Sequence, residues 1–270
     1  MSGAFDGQVV LITGASSGIG AELARQFAAA GVRVALAARD AVALEQVAAD
    51  CRAQGREALV VPTDVTEEAA CRAMVDRTVA HFGRLDVLVN NAGMSMSARF
   101  DELQDLSVFE RLWRLNVLGS VWSTAHALPH LKSSRGRIVA VSSLAGLTGV
   151  PKRSAYAASK HAMAGFFDSL RIELRDSGVS VTVVYPGFVR SDINRRALSA
   201  DGTPFGDRAY LRRPREAMET AECARQIVRA TAARNRDLVM TLAGKMGRIL
   251  KWLTPGFVDW LAYNATATRQ

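Results

Sequence analysis

The sequence is short of several features that would direct it elsewhere. Its three cysteines, Cys51, Cys71 and Cys223, stand far apart in 270 residues, with no CxxC pair and no Cys/His spacing that suits a metal. A disulfide framework is excluded, and the cysteines read as small buried residues of a reducing compartment. The four histidines, His81, His126, His130 and His161, lack ligand spacing as well, so no metal is expected. No stretch of roughly 18 uncharged apolar residues is present, which argues against a spanning helix. Met1–Asp6 offers no charged segment leading into an apolar one, so neither a secretion signal nor an N-terminal anchor is expected, and a cytoplasmic location follows. The net charge of +8 is spread over single arginines with no long basic run before the tail. It reads as a solvated surface, and nucleic-acid binding has no motif behind it.

What is present is a regular alternation of apolar strand patterns and amphipathic helix patterns. Gln8–Thr13 is a β-branched run, Gly14-Ala15-Ser16-Ser17-Gly18-Ile19-Gly20 follows at once, and a helical pattern continues through Leu23, Phe27 and Ala30. A second strand over Val32–Ala38 completes a βαβ unit, the context a Gly-rich phosphate-binding turn requires. Gly14 permits the tight turn, Gly18 a close backbone approach to a pyrophosphate, and Gly20 close helix packing, while the helix N-terminus offers N–H groups to the anion. Further strands are predicted at Ala58–Val61, Leu85–Val89, Arg137–Val141, Val179–Val184 and Asp237–Leu242. About seven strands alternating with helices specify an α/β fold, a doubly wound parallel sheet covered on both faces. Ligands in such sheets lie beyond the carboxyl ends of the strands, where Asp64-Val65, Asn90-Asn91-Ala92-Gly93, Ser142-Ser143 and Tyr185-Pro186-Gly187-Phe188-Val189-Arg190-Ser191 all fall.

Two strand ends leave a choice. After the second strand, Arg39 suits the 2′-phosphate of NADP, whereas Asp40 could take a ribose hydroxyl while Arg39 serves the following helix; NADP is favoured, with NAD as the alternative. Asp64 could cap the helix starting near Thr66 or reach an adenine amino group. Asn116 lies mid-helix in the stretch Leu103–Leu131, where asparagine is disfavoured and commonly points to solvent. Tyr156-Ala-Ala-Ser-Lys160 places a phenol and an ammonium one helical turn apart, so the cation could draw the phenol toward neutral pKa.

TGASSGIG, NNAG, Asn116, Ser143, YAASK and PGFVRSD, in this order, resemble the short-chain dehydrogenase/reductase family over residues from about 8 to about 195 and less sharply to about 242. The resemblance implies a Rossmann-type fold and an NAD(P)(H)-dependent oxidoreductase acting on a carbonyl or secondary alcohol. It implies Tyr156 as acid/base, Lys160 as the residue that lowers the phenol pKa and holds the nicotinamide ribose, Ser143 as the hydrogen bond to substrate oxygen, and Asn116 as the holder of a water beside Lys160. It implies cofactor contacts from Gly14, Ser16, Ser17, Gly18, Ile19, Gly20, Arg39, Asp64, Val65, Asn91, Ala92, Gly93, Tyr156, Lys160, Pro186, Gly187, Val189 and Ser191, with Ser191 replacing the more usual threonine. It further implies subunit pairing, as a homodimer or homotetramer, through the helices holding Asn116 and Tyr156. A non-catalytic NADP(H)- or ligand-binding protein on the same fold is the alternative, usually marked by a damaged tyrosine, lysine or serine; here all are intact.

Residues 1–242 are expected to form the dinucleotide-binding and catalytic domain, with a mobile substrate lid over about 192–215. The helix from Thr220 could be capped by Thr220 itself. Residues 243–270 form an amphipathic extension in which Leu242, Met246, Ile249, Leu250 and Leu253 share one face. That face either packs on its own domain or a partner subunit, or docks on a membrane surface. Members of that family with such tails handle steroids, retinoids or lipids, which makes a bulky, apolar small-molecule carbonyl or alcohol the expected substrate.

Overall fold

The computed structural model describes residues 5–191, 193–206 and 217–267. Seven parallel strands form one sheet in the order β3-β2-β1-β4-β5-β6-β7. Their spans are β1 Val9–Thr13, β2 Arg33–Ala38, β3 Ala58–Pro62, β4 Val87–Asn90, β5 Arg137–Val141, β6 Ser180–Tyr185 and β7 Asp237–Val239. All five residues of β1, VVLIT, are buried, as an interior parallel strand with helices on both faces requires. The period-2 pleat divides these residues between two cores. Val10 and Ile12 join Leu23, Phe27, Leu36 and Ile227 on one side. Val9 and Leu11 join Met74, Leu131, Phe167 and Tyr185 on the other.

The helices follow from this division: α1 Gly18–Ala29, α2 Ala41–Ala53 and α7 Thr220–Ala232 bring residues to the first core. α3 Glu68–Phe82, α5 Gly119–Ser133 and α6 Ser154–Glu173 serve the second. A short α4, Ser107–Leu112, runs into a wider π-type stretch, Trp113–Leu118, before α5 begins. α8 Leu242–Leu253 and α9 Pro255–Ala267 close the chain.

Strand order reverses between β1 and β4, which pair in parallel through Val10, Leu11 and Ile12. In an open α/β sheet this switch point is where the carboxyl ends leave a crevice.

Three expectations change. The last strand ends at Val239, because Thr241 accepts from Gly244 N–H at 2.9 Å and caps α8 there. Thr220 does not cap α7; its hydroxyl donates to the Arg190 carbonyl at 3.3 Å, and Glu219 takes the flanking position. The apolar face of α8 does not pack on the domain: Leu242 is 73% and Leu253 73% exposed. Instead Gly244, the one buried residue of the helix, faces inward against Leu144 and Val239.

Candidate active site

The Gly-rich turn hugs the end of β1. Gly14 (φ 67°) and Gly18 (φ 55°) are left-handed, a conformation open to glycine at little cost. Gly20 is needed for a different reason: a Cβ there would lie 2.2 Å from the Gly14 carbonyl oxygen. The turn is sewn to the β4 end across the switch point. Asn91 Nδ2 donates to the Thr13 and Gly14 carbonyls at 2.9 and 3.2 Å. Thr13 Oγ1 in return accepts from the Asn91 and Ala92 backbone N–H at 3.0 and 3.1 Å. Between these segments lies a cavity of about 670 Å³.

Gly14, Ser16, Ser17, Gly18, Ile19, Arg39, Asp64, Val65, Asn91, Ala92, Gly93 and Ser191 all line it, whereas Gly20 is buried behind the turn. Ser17 precedes α1 without a side-chain cap, so the first N–H groups of that helix remain available to an anion at the cavity wall. Asp40 Oδ1 accepts from Ala43 N–H at 3.0 Å and caps α2. Arg39 is exposed on the cavity rim, and among the described residues no carboxylate pairs with it. Asp64 makes a local turn, accepting from Thr66 N–H at 3.0 Å and Thr66 Oγ1 at 2.8 Å, while α3 starts later at Glu68. A glycine cradle, an uncapped helix start and a free guanidinium together fit a dinucleotide.

A second cavity of about 290 Å³ opens beside the first, and Ile19, Asn91, Gly93 and Ser191 border both. Ser143, Tyr156, Lys160, Pro186, Gly187 and Val189 line it among apolar neighbours that include Leu144, Val150 and Phe188. Tyr156 is 6% exposed. Burial pushes its phenol above the ordinary tyrosine range, opposed by a hydrogen bond with Ser143 and by the charge of Arg153. Ser143 also accepts from Ala145 N–H at 3.2 Å, which fixes its orientation. Ser142 turns away and donates to the Lys160 carbonyl at 3.1 Å.

Lys160 is 2% exposed, and its Nζ donates to the Val141 carbonyl at 2.9 Å and Met163 Sδ at 3.4 Å, 5.9 Å from the Tyr156 ring centre. Burial alone pushes its ammonium down to about 7. In this arrangement the charge of Arg153 also bears on the phenol, while Lys160 Nζ is bonded to backbone. Asn116 is fully buried rather than solvated. Its Oδ1 accepts from Met94 N–H at 2.9 Å, and its Nδ2 donates to the Met94 carbonyl at 3.1 Å and Ser159 Oγ at 2.9 Å. The π-type turn supplies the extra width that aims it inward. Gly93 lies between these groups: a Cβ there would be 3.1 Å from Asn116 Oδ1 and 3.5 Å from Lys160 Nζ.

The described part of the expected lid is tied down. Leu198 N–H donates to the Ser95 carbonyl at 2.9 Å and Ser97 N–H to the Leu198 carbonyl at 2.8 Å, and Leu198 packs in the cluster that holds Tyr156. Asp192 and residues 207–216 of that segment lie outside the described residues.

Comparison with known proteins bears on the same residues. A profile of the short chain dehydrogenases matches residues 8–202. This chain belongs to the short-chain dehydrogenase family. A protein from Arachis hypogaea named 11-beta-hydroxysteroid dehydrogenase A is 39% identical over 259 residues, covering 94% of this chain and 74% of its own. A Dictyostelium discoideum protein named dehydrogenase/reductase SDR family protein 7-like is 34% identical over 266 residues, covering 96% and 82%. A crystal structure of a short chain dehydrogenase/reductase from Burkholderia phymatum in complex with NAD superposes with a TM-score of 0.85 at 27% identity, covering 94% of this chain and 96% of that one. The chain is thus a nicotinamide-dependent oxidoreductase of this family.

In this short-chain dehydrogenase the residues that motif reading passed over are Thr63, Met94, Arg111, Arg114 and Arg196 on the first cavity and Arg153 and Asn194 on the second. Only Arg153 carried a signal, standing three residues before Tyr156. The depressed Lys160 pKa also gives the unliganded dehydrogenase a pH signature. Between pH 7 and 10.5 an unfolded lysine holds a proton that the folded Lys160 has released, so stability rises with pH by up to about 1.4 kcal/mol per unit. From about pH 9 the raised Cys51, Cys71 and Cys223 thiols, joined above pH 10 by Tyr156 and Tyr185, oppose this rise, since the unfolded groups ionise first. Denaturant midpoints at pH 7, 8 and 9 should climb in the wild type and stay flatter in Lys160→Met; identical slopes would refute this.

Proposed function

We propose that this dehydrogenase interconverts a carbonyl and a secondary alcohol on a largely apolar substrate, with NADP(H) preferred. The observation that carries the reading is the second cavity: a buried phenol and its Ser143 partner face an apolar chamber that shares a wall with the glycine cradle. When bound, the nicotinamide supplies or accepts the hydride. Every other requirement falls to the chain. Ser143 and Tyr156 present hydroxyl donors to the substrate oxygen, stabilising the negative charge that develops there. Tyr156, held protonated at neutral pH by burial, gives its proton to that oxygen in reduction and removes it in oxidation. Lys160, which lines the same cavity, would exchange its bond to the Val141 carbonyl for the ribose hydroxyls of a bound cofactor, and Asn116 fixes the Met94 segment. The apolar walls exclude water, which strengthens each of these contacts.

Arg39 and Asp40 decide the cofactor preference. Asp40 is already engaged as the α2 cap, leaving Arg39 as the group suited to a 2′-phosphate. Arg39→Ala should raise the NADPH dissociation constant by about 10- to 100-fold while NADH changes by less than about threefold. Equal losses in a fluorescence titration would favour NAD(H), the cofactor of the Burkholderia relative.

Buried free cysteines at 51, 71 and 223 fit a reducing compartment such as the cytoplasm. Exposed Ile172 on α6 supports subunit pairing across that helix. Among the described residues no helix is long and apolar enough to cross a membrane. The exposed α8 face fits a partner subunit better than a lipid surface, because Arg248 and Lys251 are already paired with Asp237 and Asp259. No observation supports the non-catalytic alternative.

A panel of ketones and secondary alcohols, followed by absorbance of the reduced nicotinamide with each cofactor, tests the activity. Turnover of apolar ketones with NADPH is expected. Binding of cofactor with no turnover of any carbonyl or alcohol would overturn the reading.

A further inference from the structure

Among the described residues the second cavity is lined by one charged side chain besides Lys160, and no described carboxylate pairs with it. Arg153 lines the chamber together with Tyr156, Asn194 and Phe188. Its Nη1 reaches Ser95 Oγ and its Nη2 reaches Asn194 Oδ1, each at 3.4 Å, and its guanidinium lies 5.9 Å over the Phe188 ring. These partners are neutral and both hydrogen bonds are long. Arg84 and Arg225, by contrast, meet carboxylates directly, in Arg84–Asp86 at 2.7 Å and Arg225–Glu222 at 2.6 Å. Arg153 is half-buried, and this burial holds its pKa below the ordinary arginine range.

The backbone holds the side chain there deliberately. Lys152, just before it, is in the left-handed region at φ 64°, which a non-glycine residue adopts only when its surroundings insist. Ala98 N–H donates to the Lys152 carbonyl at 3.0 Å, Arg153 N–H donates to the Val150 carbonyl at 3.2 Å, and α6 starts immediately afterwards.

We propose that Arg153 is a substrate-binding residue that pairs with a carboxylate, or an equally strong oxygen acceptor, on the same molecule whose carbonyl meets Tyr156 and Ser143. This rests on the carbonyl-reductase reading of the cavity and narrows it, from an apolar ketone to an apolar oxo acid. The planar guanidinium fork suits a carboxylate in particular. The remaining lining, Leu144, Ala145, Val150 and Phe188, takes the apolar body.

Benzoylformate and acetophenone form a matched pair with and without the carboxylate, and benzoate is a probe that cannot be reduced. Wild type, Arg153→Met and Arg153→Gln are compared, with thermal melts to confirm that each variant folds. Because Arg153 also acts on the phenol, both ketones lose some rate in the variants. The inference expects the loss of kcat/KM to be about 10- to 100-fold larger for benzoylformate than for acetophenone. Calorimetric titration of benzoate into the NADP-loaded protein should show binding in wild type and about 10-fold or greater weakening in both variants. Equal losses on the two ketones would overturn it and leave Arg153 as a positioning group for Tyr156, and unchanged benzoate affinity would overturn it outright. If wild type reduces neither ketone yet benzoate binding still depends on Arg153, the anion site stands and the reductase reading fails.

Discussion

Tyr156→Phe is expected to lower kcat by about 10²- to 10⁴-fold while leaving cofactor affinity nearly unchanged. The substitution deletes one oxygen from a ring that already sits in an apolar cluster with Met96, Ala155 and Leu198, so the ring keeps its packing. What disappears is the group that exchanges the proton with the substrate oxygen, together with one of the two hydroxyls facing it. The cradle formed by Gly14, Gly18 and the start of α1 is on the other cavity and does not contain the ring. Stopped-flow measurement of turnover beside a fluorescence titration of NADPH separates the two effects. A variant with near-normal kcat would remove Tyr156 from the chemistry; one that loses cofactor binding to the same degree would make the residue architectural.

The second large effect is expected at Gly20. An alanine Cβ at this position would lie 2.2 Å from the Gly14 carbonyl oxygen, 2.8 Å from its carbon and 2.6 Å from Asn91 Nδ2. None of these is the free end of a flexible side chain, since Asn91 is held by the carbonyls of Thr13 and Gly14. The turn and helix must move apart, at a cost of roughly 1–3 kcal/mol or more for overpacking. The movement also displaces the N–H groups at the start of α1. Gly20→Ala should therefore lower the Tm by several degrees and weaken NADPH binding by at least about tenfold. Gly165, where a Cβ meets nothing within 4 Å, is the control: Gly165→Ala, inside α6, should be neutral or stabilising. Equal stability of the two variants, with intact binding in Gly20→Ala, would dismiss the packing account.

The strands and the cofactor turn were readable from the sequence because both are local. Apolar runs such as VVLIT can only be buried, and glycines at positions 14, 18 and 20 follow a strand and open a helix. Strand ends then converge by topology, which is why Asn91, Ser143 and Val189 could be placed beside one cavity before any coordinate was known. What could not be read depends on long-range contact. Propensity alone gives Asn116 as a helix residue facing water, and only the family resemblance brings it beside Lys160; the π-type turn in which it lies buried has no sequence signature. Arg153 looked like one arginine among many, and its lack of a carboxylate partner is a property of the packed cavity. Residues 194–206 have the composition of a loose loop, yet Leu198 reaches across to Ser95 and Ser97 and is buried. Amphipathicity located α8 correctly but could not say that Gly244, rather than its leucines, would face the domain.

The stitching of Asn91 to Thr13 and Gly14 spans 78 residues of chain. Its donors and acceptors belong to opposite halves of the sheet, so neither half owns the nucleotide crevice. A nascent chain that has completed only β1, β2 and β3 holds the glycines but has nothing to brace them. Coenzyme recognition thus depends on β4 as well as on the first βαβ unit, and loosening either side of the seam loosens the glycines.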